Sequence, residues 1–273
     1  MKTLYISDLD GTLLASSAQL SPLTRDILCR LCDAGVYISA ASARTAATVT
    51  KLLGDVPFRV PVILMNGACI YDLQSGKYVQ VQTIPESAQK KLFRIMRGVS
   101  GFLFTIENDV LHTYYERADT PHARGFMEER IRKFGKKFTK VSSFSECLGL
   151  SCVYFSVAGL EAELRGLYDE LAKVPNIHSE FYRDVYNTDF WYLEACSTGA
   201  SKFNAAEWLR REYGFDRLIG FGDNLNDLSL FRACDESYAV SNAKDEVKRQ
   251  ATGVIGSNDE DAVARFISEK TGF

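Results

Sequence analysis

The 273-residue sequence predicts an α/β fold, with a doubly wound parallel-sheet core interrupted by an inserted α+β domain. Three observations lead there. Between residues 4 and 68, apolar runs of strand length alternate with stretches of helical periodicity. Near residue 82 the alternation gives way to strands joined by hairpin turns, and near residue 201 it resumes. Acidic residues also stand at the ends of two apolar runs, and ligands of open α/β sheets gather at strand carboxyl ends.

The first run, Leu4-Tyr5-Ile6, reads as a buried parallel strand and leads into Ser7-Asp8-Leu9-Asp10-Gly11-Thr12. In an extended chain Asp8 and Asp10 point to the same side. Two carboxylates that close require a cation, a shared proton or a positioned lysine. Gly11 lets the chain turn away, although an Asp-Gly pair also fits an ordinary hairpin. Ser21-Pro22 starts a helix, with Leu23, Ile27, Leu28 and Leu31 at helical spacing and Gly35 as the stop. Val36 to Ala41 is the second strand, and Ser42-Ala43-Arg44 lies just past it. A helix over about 45–53 leads to a third strand, Val62 to Met65, followed by Asn66-Gly67-Ala68. Strand–helix–strand–helix–strand is the order of a Rossmann-like parallel sheet.

Residues 83–196 read as the insert, and 1–82 with 197–273 as the core. Within the insert, helical periodicity over 86–97 precedes a hairpin of Phe102–Glu107 and Val110–Tyr115 turning at Asn108-Asp109. A helix over 121–134, a strand over 152–157, a helix over 160–172 and strands near 177–182 and 189–195 follow. Arg183-Asp184 suits a solvated turn better than a substrate contact. Tyr182, Tyr186 and Trp191 suit packing before any sugar pocket. His112, His122 and His178 are too dispersed for a metal site. The core resumes with a helix over 201–213 and a strand Arg217–Gly222 ending at Asp223. A helix over 227–233, short strands near 237–240 and 253–255, and a helix over 260–269 close the chain.

Hydrophobic residues at 46%, charged residues at 25% and a net charge of −3 describe an ordinary soluble domain with no general affinity for nucleic acid. Seven scattered cysteines, an odd number, predict reduced thiols and a cytoplasmic protein. Cys29 and Cys32 fall in a helical pattern with no second pair, which favours buried thiols over zinc. The apolar start is broken by Asp8 and Asp10, so no secretory leader is expected. No run reaches the ~18 apolar residues of a membrane helix, so no membrane partner is expected.

The second acidic cluster is Gly222-Asp223-Asn224-Leu225-Asn226-Asp227. Asp223, at a strand end, can join Asp8 and Asp10 around one hard cation, and Mg²⁺ fits an all-oxygen set of this kind. Asp227 can orient a water or a lysine, or Asn224 and Asp227 can simply cap a helix. Ser42 before a helix suits either phosphate binding or capping. Lys202 opens a helix at the end that the macrodipole disfavours for a cation, so it either serves a phosphate or the carboxylates, or is solvated.

Taken together, D-x-D-G-T at Asp8–Thr12, Ser42, Lys202 and G-D-x-x-N-D at Gly222–Asp227 resemble, in that order, the motifs of the haloacid dehalogenase superfamily. The long insert resembles the cap of its Cof-type branch, as do Asn66-Gly67-Ala68 and Ala239-Val240-Ser241-Asn242-Ala243. Two positions depart from that pattern: Ala41-Ser42-Ala43-Arg44 stands where Thr-Gly-Arg is frequent, and Phe203 where glycine is.

The resemblance implies a Mg²⁺-dependent phosphatase acting on a small phosphorylated metabolite, with sugar phosphates as one class. It implies Asp8 as nucleophile, forming an aspartyl-phosphate, and Asp10 as general acid and base. Asp8, Asp223 and the Asp10 backbone carbonyl would hold the metal. Ser42, Ala43, Lys202 and Asn226 would bind phosphate, with Thr12 placing Asp10, Asp227 placing Lys202 or a water, and Asn66 in support. The cap would exclude water and select the leaving group. Two alternatives remain at this level: a phosphomutase using the same intermediate, and a non-enzymatic receiver-type domain. Receivers are shorter and place their acid after the third strand, where this chain has Asn66-Gly67.

Overall fold

Strand β1 (Thr3–Ser7) buries Leu4 and Ile6 completely, and a strand apolar on both faces needs neighbours on either side and cover above and below. The computed structural model, which describes residues 1–183 and 189–273, provides both. The chain continues through α1 (Pro22–Asp33), β2 (Tyr37–Ala40), α2 (Ala46–Leu53), β3 (Val62–Leu64), β4 (Cys69–Asp72) and β5 (Lys77–Val81). Next come α3 (Glu86–Ile95), β6 (Gly101–Glu107), β7 (Val110–Tyr115), α4 (Pro121–Phe134), β8 (Phe138–Lys140), β9 (Cys152–Gly159), α5 (Glu161–Leu171), β10 (Ile177–Arg183) and β11 (Trp191–Ser197). The last stretch is α6 (Lys202–Tyr213), β12 (Arg217–Gly222), α7 (Leu228–Ala233), β13 (Glu236–Val240), α8 (Asp245–Gln250), β14 (Gly253–Ile255) and α9 (Ala262–Thr271).

The chain divides into two compact units, Met1–Gln80 with Ser201–Phe273, and Val81–Ala200. In the first, a five-stranded sheet in the order β14-β13-β12-β1-β2 is parallel throughout. The step from β2 across β1 to β12 is the switch in strand order that opens a crevice at the carboxyl ends. Residue register there is tight: Ser7 lies opposite Phe221 and Ala40, and the Asp8 N–H donates to the Phe221 carbonyl at 3.0 Å.

The third predicted strand differs from expectation. Among the described residues it pairs with the parallel sheet through one bridge, between Ala41 and Ile63, and β3 pairs antiparallel with β4 in a separate β3-β4-β5 sheet. Strands β4 and β5 are only four and five residues long and β5 is largely outside the core, so neither stands out from the sequence. Helix α8, six residues long, is likewise too short for a visible period.

The second unit is a six-stranded sheet in the order β10-β11-β9-β6-β7-β8, antiparallel except for β7 with β8. Leu103, Phe155 and Leu193 on one face pack with Leu92 and Phe93 of α3 and with Leu164 and Leu171 of α5. The hairpin turn is built as expected, since Asn108 and Asp109 both adopt positive φ. Trp191 packs with Phe181 against this core, whereas Tyr182 is exposed and stacks on Tyr192. Asp184 and Tyr186 lie outside the described residues. All seven cysteines are free, and burial pushes the Cys32 thiol up to about 12, consistent with packing. No described helix is long and apolar enough to cross a membrane.

Helix α1 begins where the sequence predicts. The Ser21 hydroxyl accepts from the Thr24 N–H at 2.9 Å and also contacts Asp261, which takes a second bond from Thr24 Oγ1 at 2.8 Å. Ser21→Ala should therefore lower stability by about 1 kcal/mol, read as a reduced denaturant midpoint with an unchanged slope.

Candidate active site

The two acidic motifs meet because β1 and β12 are adjacent parallel strands. Past Ser7 the chain does not stay extended. Residues 9–13 wind into a tight turn, closed by the Leu14 N–H on the Leu9 carbonyl at 2.8 Å. Asp10 (φ −74°, ψ 121°) and Gly11 (φ 76°, ψ 0°) form a type II turn, which requires positive φ at its second central position. A side chain at Gly11 would also collide with Asp223, because its Cβ would lie 2.7 Å from Oδ2. Glycine is needed there twice over.

This turn corrects the expectation that Asp8 and Asp10 crowd together. Asp8 is buried and its Oδ1 accepts from Lys202 Nζ at 2.6 Å. Asp10 is turned away and held by Arg44, with Nε on Oδ2 at 2.7 Å and Nη2 on Oδ1 at 2.5 Å. Each carboxylate has its own cation, so no proton need be shared between them.

Lys202 is 1% exposed, which removes the solvated reading. Its ammonium bridges Asp8 and Asp227, the latter at 2.7 Å. These carboxylates raise its pKa against the opposing effect of burial, so it stays charged. The Ser201 hydroxyl caps α6 through the Asn204 N–H at 3.0 Å and so fixes where the lysine begins. Asp227 uses its other oxygen, Oδ2, on the N–H groups of Asp223 and Asn224, both at 3.0 Å. The capping and lysine-orienting readings of Asp227 are thus both realised, one on each oxygen.

Asp223 receives the Thr12 hydroxyl on Oδ1 at 3.0 Å. Thr12 therefore anchors Asp223 rather than Asp10. Carboxylate oxygens of Asp8, Asp223 and Asp227 lie within 4.8 Å of one another, the one group of potential metal ligands among the described residues, and Asp10 is not in it. Its carboxylate belongs to Arg44, which leaves only its peptide carbonyl as a metal donor.

Charge balance tests whether a cation fits. Three carboxylates face one ammonium, an excess of negative charge in a largely buried site. Burial and the neighbouring Asp227 charge push the Asp8 carboxyl well up, and the same causes push Asp223 up to about 6. Because Asp227 has both oxygens engaged, Asp8 and Asp223 are the carboxylates with oxygen to offer. Two carboxylates, carbonyl oxygen and water suit a hard divalent cation.

The other residues expected to bind phosphate follow neighbouring strand ends of the same sheet. Ser42 is buried, with its N–H on the Ile63 carbonyl at 2.9 Å, and its hydroxyl accepts from the Arg44 N–H at 3.1 Å. It does not cap α2, which begins at Ala46 behind Thr45. Ala43 is exposed. The Asn226 carboxamide donates to Asn66 Oδ1 at 3.3 Å. Two contributors escaped the sequence reading as site residues: Arg44, and Asn242, whose Nδ2 donates to the Gly11 carbonyl at 2.8 Å. Neither has a local signal, since both act on a turn distant in sequence.

The family model for haloacid dehalogenase-like hydrolases matches residues 5–267. The chain belongs to that family, and its enzyme class is phosphoric monoester hydrolase, which sets aside the receiver-type alternative. It is 26% identical to the 5-amino-6-(5-phospho-D-ribitylamino)uracil phosphatase YitU of Bacillus subtilis, covering 96% of this chain and 95% of the relative. It is 23% identical to the pyridoxal phosphate phosphatase YbhA of Escherichia coli, covering 95% of each. Among solved structures, TM0651 from Thermotoga maritima superposes with a TM-score of 0.79 at 21% identity, covering 98% of this chain and 97% of the other. That last likeness is one of fold.

The raised Asp223 pKa fixes the sign of a pH effect. Its folded value of about 6 lies above the ordinary carboxylate value, so the cation-free folded state binds extra protons in between. Stability from this group is then lost as pH rises through that window. Divalent cation, which binds the deprotonated cluster, should raise the thermal midpoint more at about pH 7.5 than at about pH 5. An equal shift at both values would count against the cluster as the binding site.

Proposed function

We propose that the protein is a Mg²⁺-dependent phosphatase that hydrolyses small phosphorylated metabolites through an aspartyl-phosphate on Asp8. One observation carries this reading: Lys202, fully buried, grips one oxygen of Asp8 and leaves the other without a hydrogen bond among the described residues. A carboxylate so fixed keeps one orientation, with Oδ1 on the lysine and Oδ2 open at the strand ends. The phosphatase names of the relatives, whose substrates are a ribitylaminouracil phosphate and pyridoxal phosphate, support the substrate class. Sugar phosphates are included in the class proposed.

The chemistry follows from the residues. Lys202, Ser42, the Ala43 backbone and the Asn226 carboxamide would hold the phosphoryl oxygens and lower the charge that repels an anionic nucleophile. Asp8 attacks phosphorus as the bond to the leaving oxygen breaks, and Asp10 gives that oxygen its proton. Asp10 then takes a proton from water as the water attacks phosphorus and the bond to Asp8 breaks, which releases phosphate and restores both acids. Asp8, Asp223 and the Asp10 carbonyl would hold Mg²⁺, whose contribution when bound is further neutralisation of phosphoryl charge. Asp227 and Thr12 position the groups that act, Lys202 and Asp223 respectively.

A phosphate-release screen across phosphorylated metabolites, run with Mg²⁺ and with chelator, tests the reading. Release should require the cation, and Asp8→Asn should lower turnover by at least about 10³-fold, since an amide is no nucleophile here. Normal rates in that variant would overturn the assignment, and an isomerised product without free phosphate would favour a phosphomutase.

A further inference from the structure

The tight connection between β3 and β4 is more strained than a reversal of direction requires. Leu64 and Cys69 pair directly across it, and three successive residues between them have positive φ: Met65 at 52°, Asn66 at 53° and Gly67 at 94°. Asparagine and glycine tolerate this region, but a buried methionine does not adopt it without cost. Such strain persists only where surrounding contacts over-determine it.

Those contacts lead to the phosphate side of the site. The Asn66 N–H donates to the Ser42 carbonyl at 3.1 Å, and the Met65 N–H donates to the Arg44 carbonyl at 3.2 Å. Asn66 Oδ1 takes a hydrogen bond from Asn226 Nδ2. Gly67 lies against the start of α6, where a Cβ would come within 2.2 Å of the Ser201 carbonyl oxygen, next to Lys202. One three-residue turn thus touches the loops or helix that present Ser42, Arg44, Lys202 and Asn226.

We propose that Asn66 is a positioning residue for phosphate binding: from this strained turn its side chain orients the Asn226 carboxamide, while its backbone holds the Ser42 loop in register. The inference rests on the phosphate-binding role proposed for Asn226. A carboxamide nitrogen carries two hydrogens. With one committed to Asn66, rotation about the last side-chain bond is stopped, and the second hydrogen keeps a fixed direction. Without Asn66 the amide must find that direction each time an anion arrives, and the entropy is charged to binding.

Asn66→Gly separates side chain from backbone, because glycine accepts the positive φ and keeps the N–H to Ser42. Binding of inorganic phosphate to the Mg²⁺-loaded protein would be measured calorimetrically for the parent, Asn66→Gly, Asn226→Ala and the double variant. Both single variants should weaken phosphate roughly fivefold to tenfold, the effect of one lost hydrogen bond. The KM for a screened substrate should rise in step, with kcat changing less. In the Asn226→Ala background, Asn66→Gly should add less than about twofold, since the group it orients is already gone. If Asn226→Ala weakens phosphate but Asn66→Gly does not, or if the two losses multiply, the positioning role is overturned while the Asn226 assignment stands. If Asn226→Ala binds phosphate normally, that assignment itself falls and takes the inference with it.

Discussion

The site depends on one buried contact, the Lys202 ammonium held between Asp8 and Asp227. Burying a lysine costs several kcal/mol unless its charge is met by well-placed partners. Here two carboxylates meet it, and each is itself fixed: Asp8 by the ladder between β1 and β12, Asp227 by two backbone N–H groups. The arrangement joins three segments far apart in sequence. It also over-compensates, because with Asp223 present the lysine faces more negative charge than it can balance. A protein that needed only a stable core could replace the group with apolar side chains. Keeping it makes sense where the surplus negative charge serves a cation, the role proposed for the cluster.

The turn from Leu9 to Leu13 is the geometric counterpart of that contact. Its conformation sets where Asp10 points and brings Gly11 against Asp223, and it is tied down from outside by Asn242 on the Gly11 carbonyl and Asn258 on the Leu14 carbonyl. Asn258 also donates its own N–H to Asn242 Oδ1, so the two amides form one brace. Function-bearing loops are usually the mobile part of a fold. This one is braced from the far end of the chain, which fixes where its carboxylates sit.

Legibility in the sequence followed the range of the interactions. Helix α1 could be located because its signals are local: Ser21 caps it, Pro22 opens it and Gly35 follows it. The parallel core was readable because strands buried on both faces leave continuous apolar runs, as in Arg217–Gly222. The pairing of β3 with β4 and β5 was not, since β4 and β5 are short and partly exposed and the reversal from β3 depends on positive φ at Met65, which nothing about methionine advertises. Within the site, Asp8, Lys202, Asp223 and Asp227 do lie together. What spacing could not supply was the partner of each polar group. Thr12 reaches Asp223 rather than Asp10, and Arg44 takes Asp10, because a type II turn rotates these side chains out of the alternation an extended strand would have given them.

That rotation also gives two aspartates two residues apart the different surroundings that the proposed nucleophile and acid–base roles require. Acid and nucleophile differ less in their own chemistry than in what surrounds them. Asp8 is enclosed and bound through one oxygen to an immobile ammonium, so its remaining oxygen has a fixed line of approach. Asp10 has a half-exposed carboxylate, its side chain 44% accessible, and its partner Arg44 is a guanidinium that can follow it or release it. A nucleophile benefits from being held still, because every lost rotation lowers the entropy spent at the transition state. A proton carrier serves two partners in turn, a departing oxygen and then a water, and needs the freedom to meet both. Had the strand simply continued past Ser7, both acids would have shared one environment, and neither specialisation would have been open to the chain.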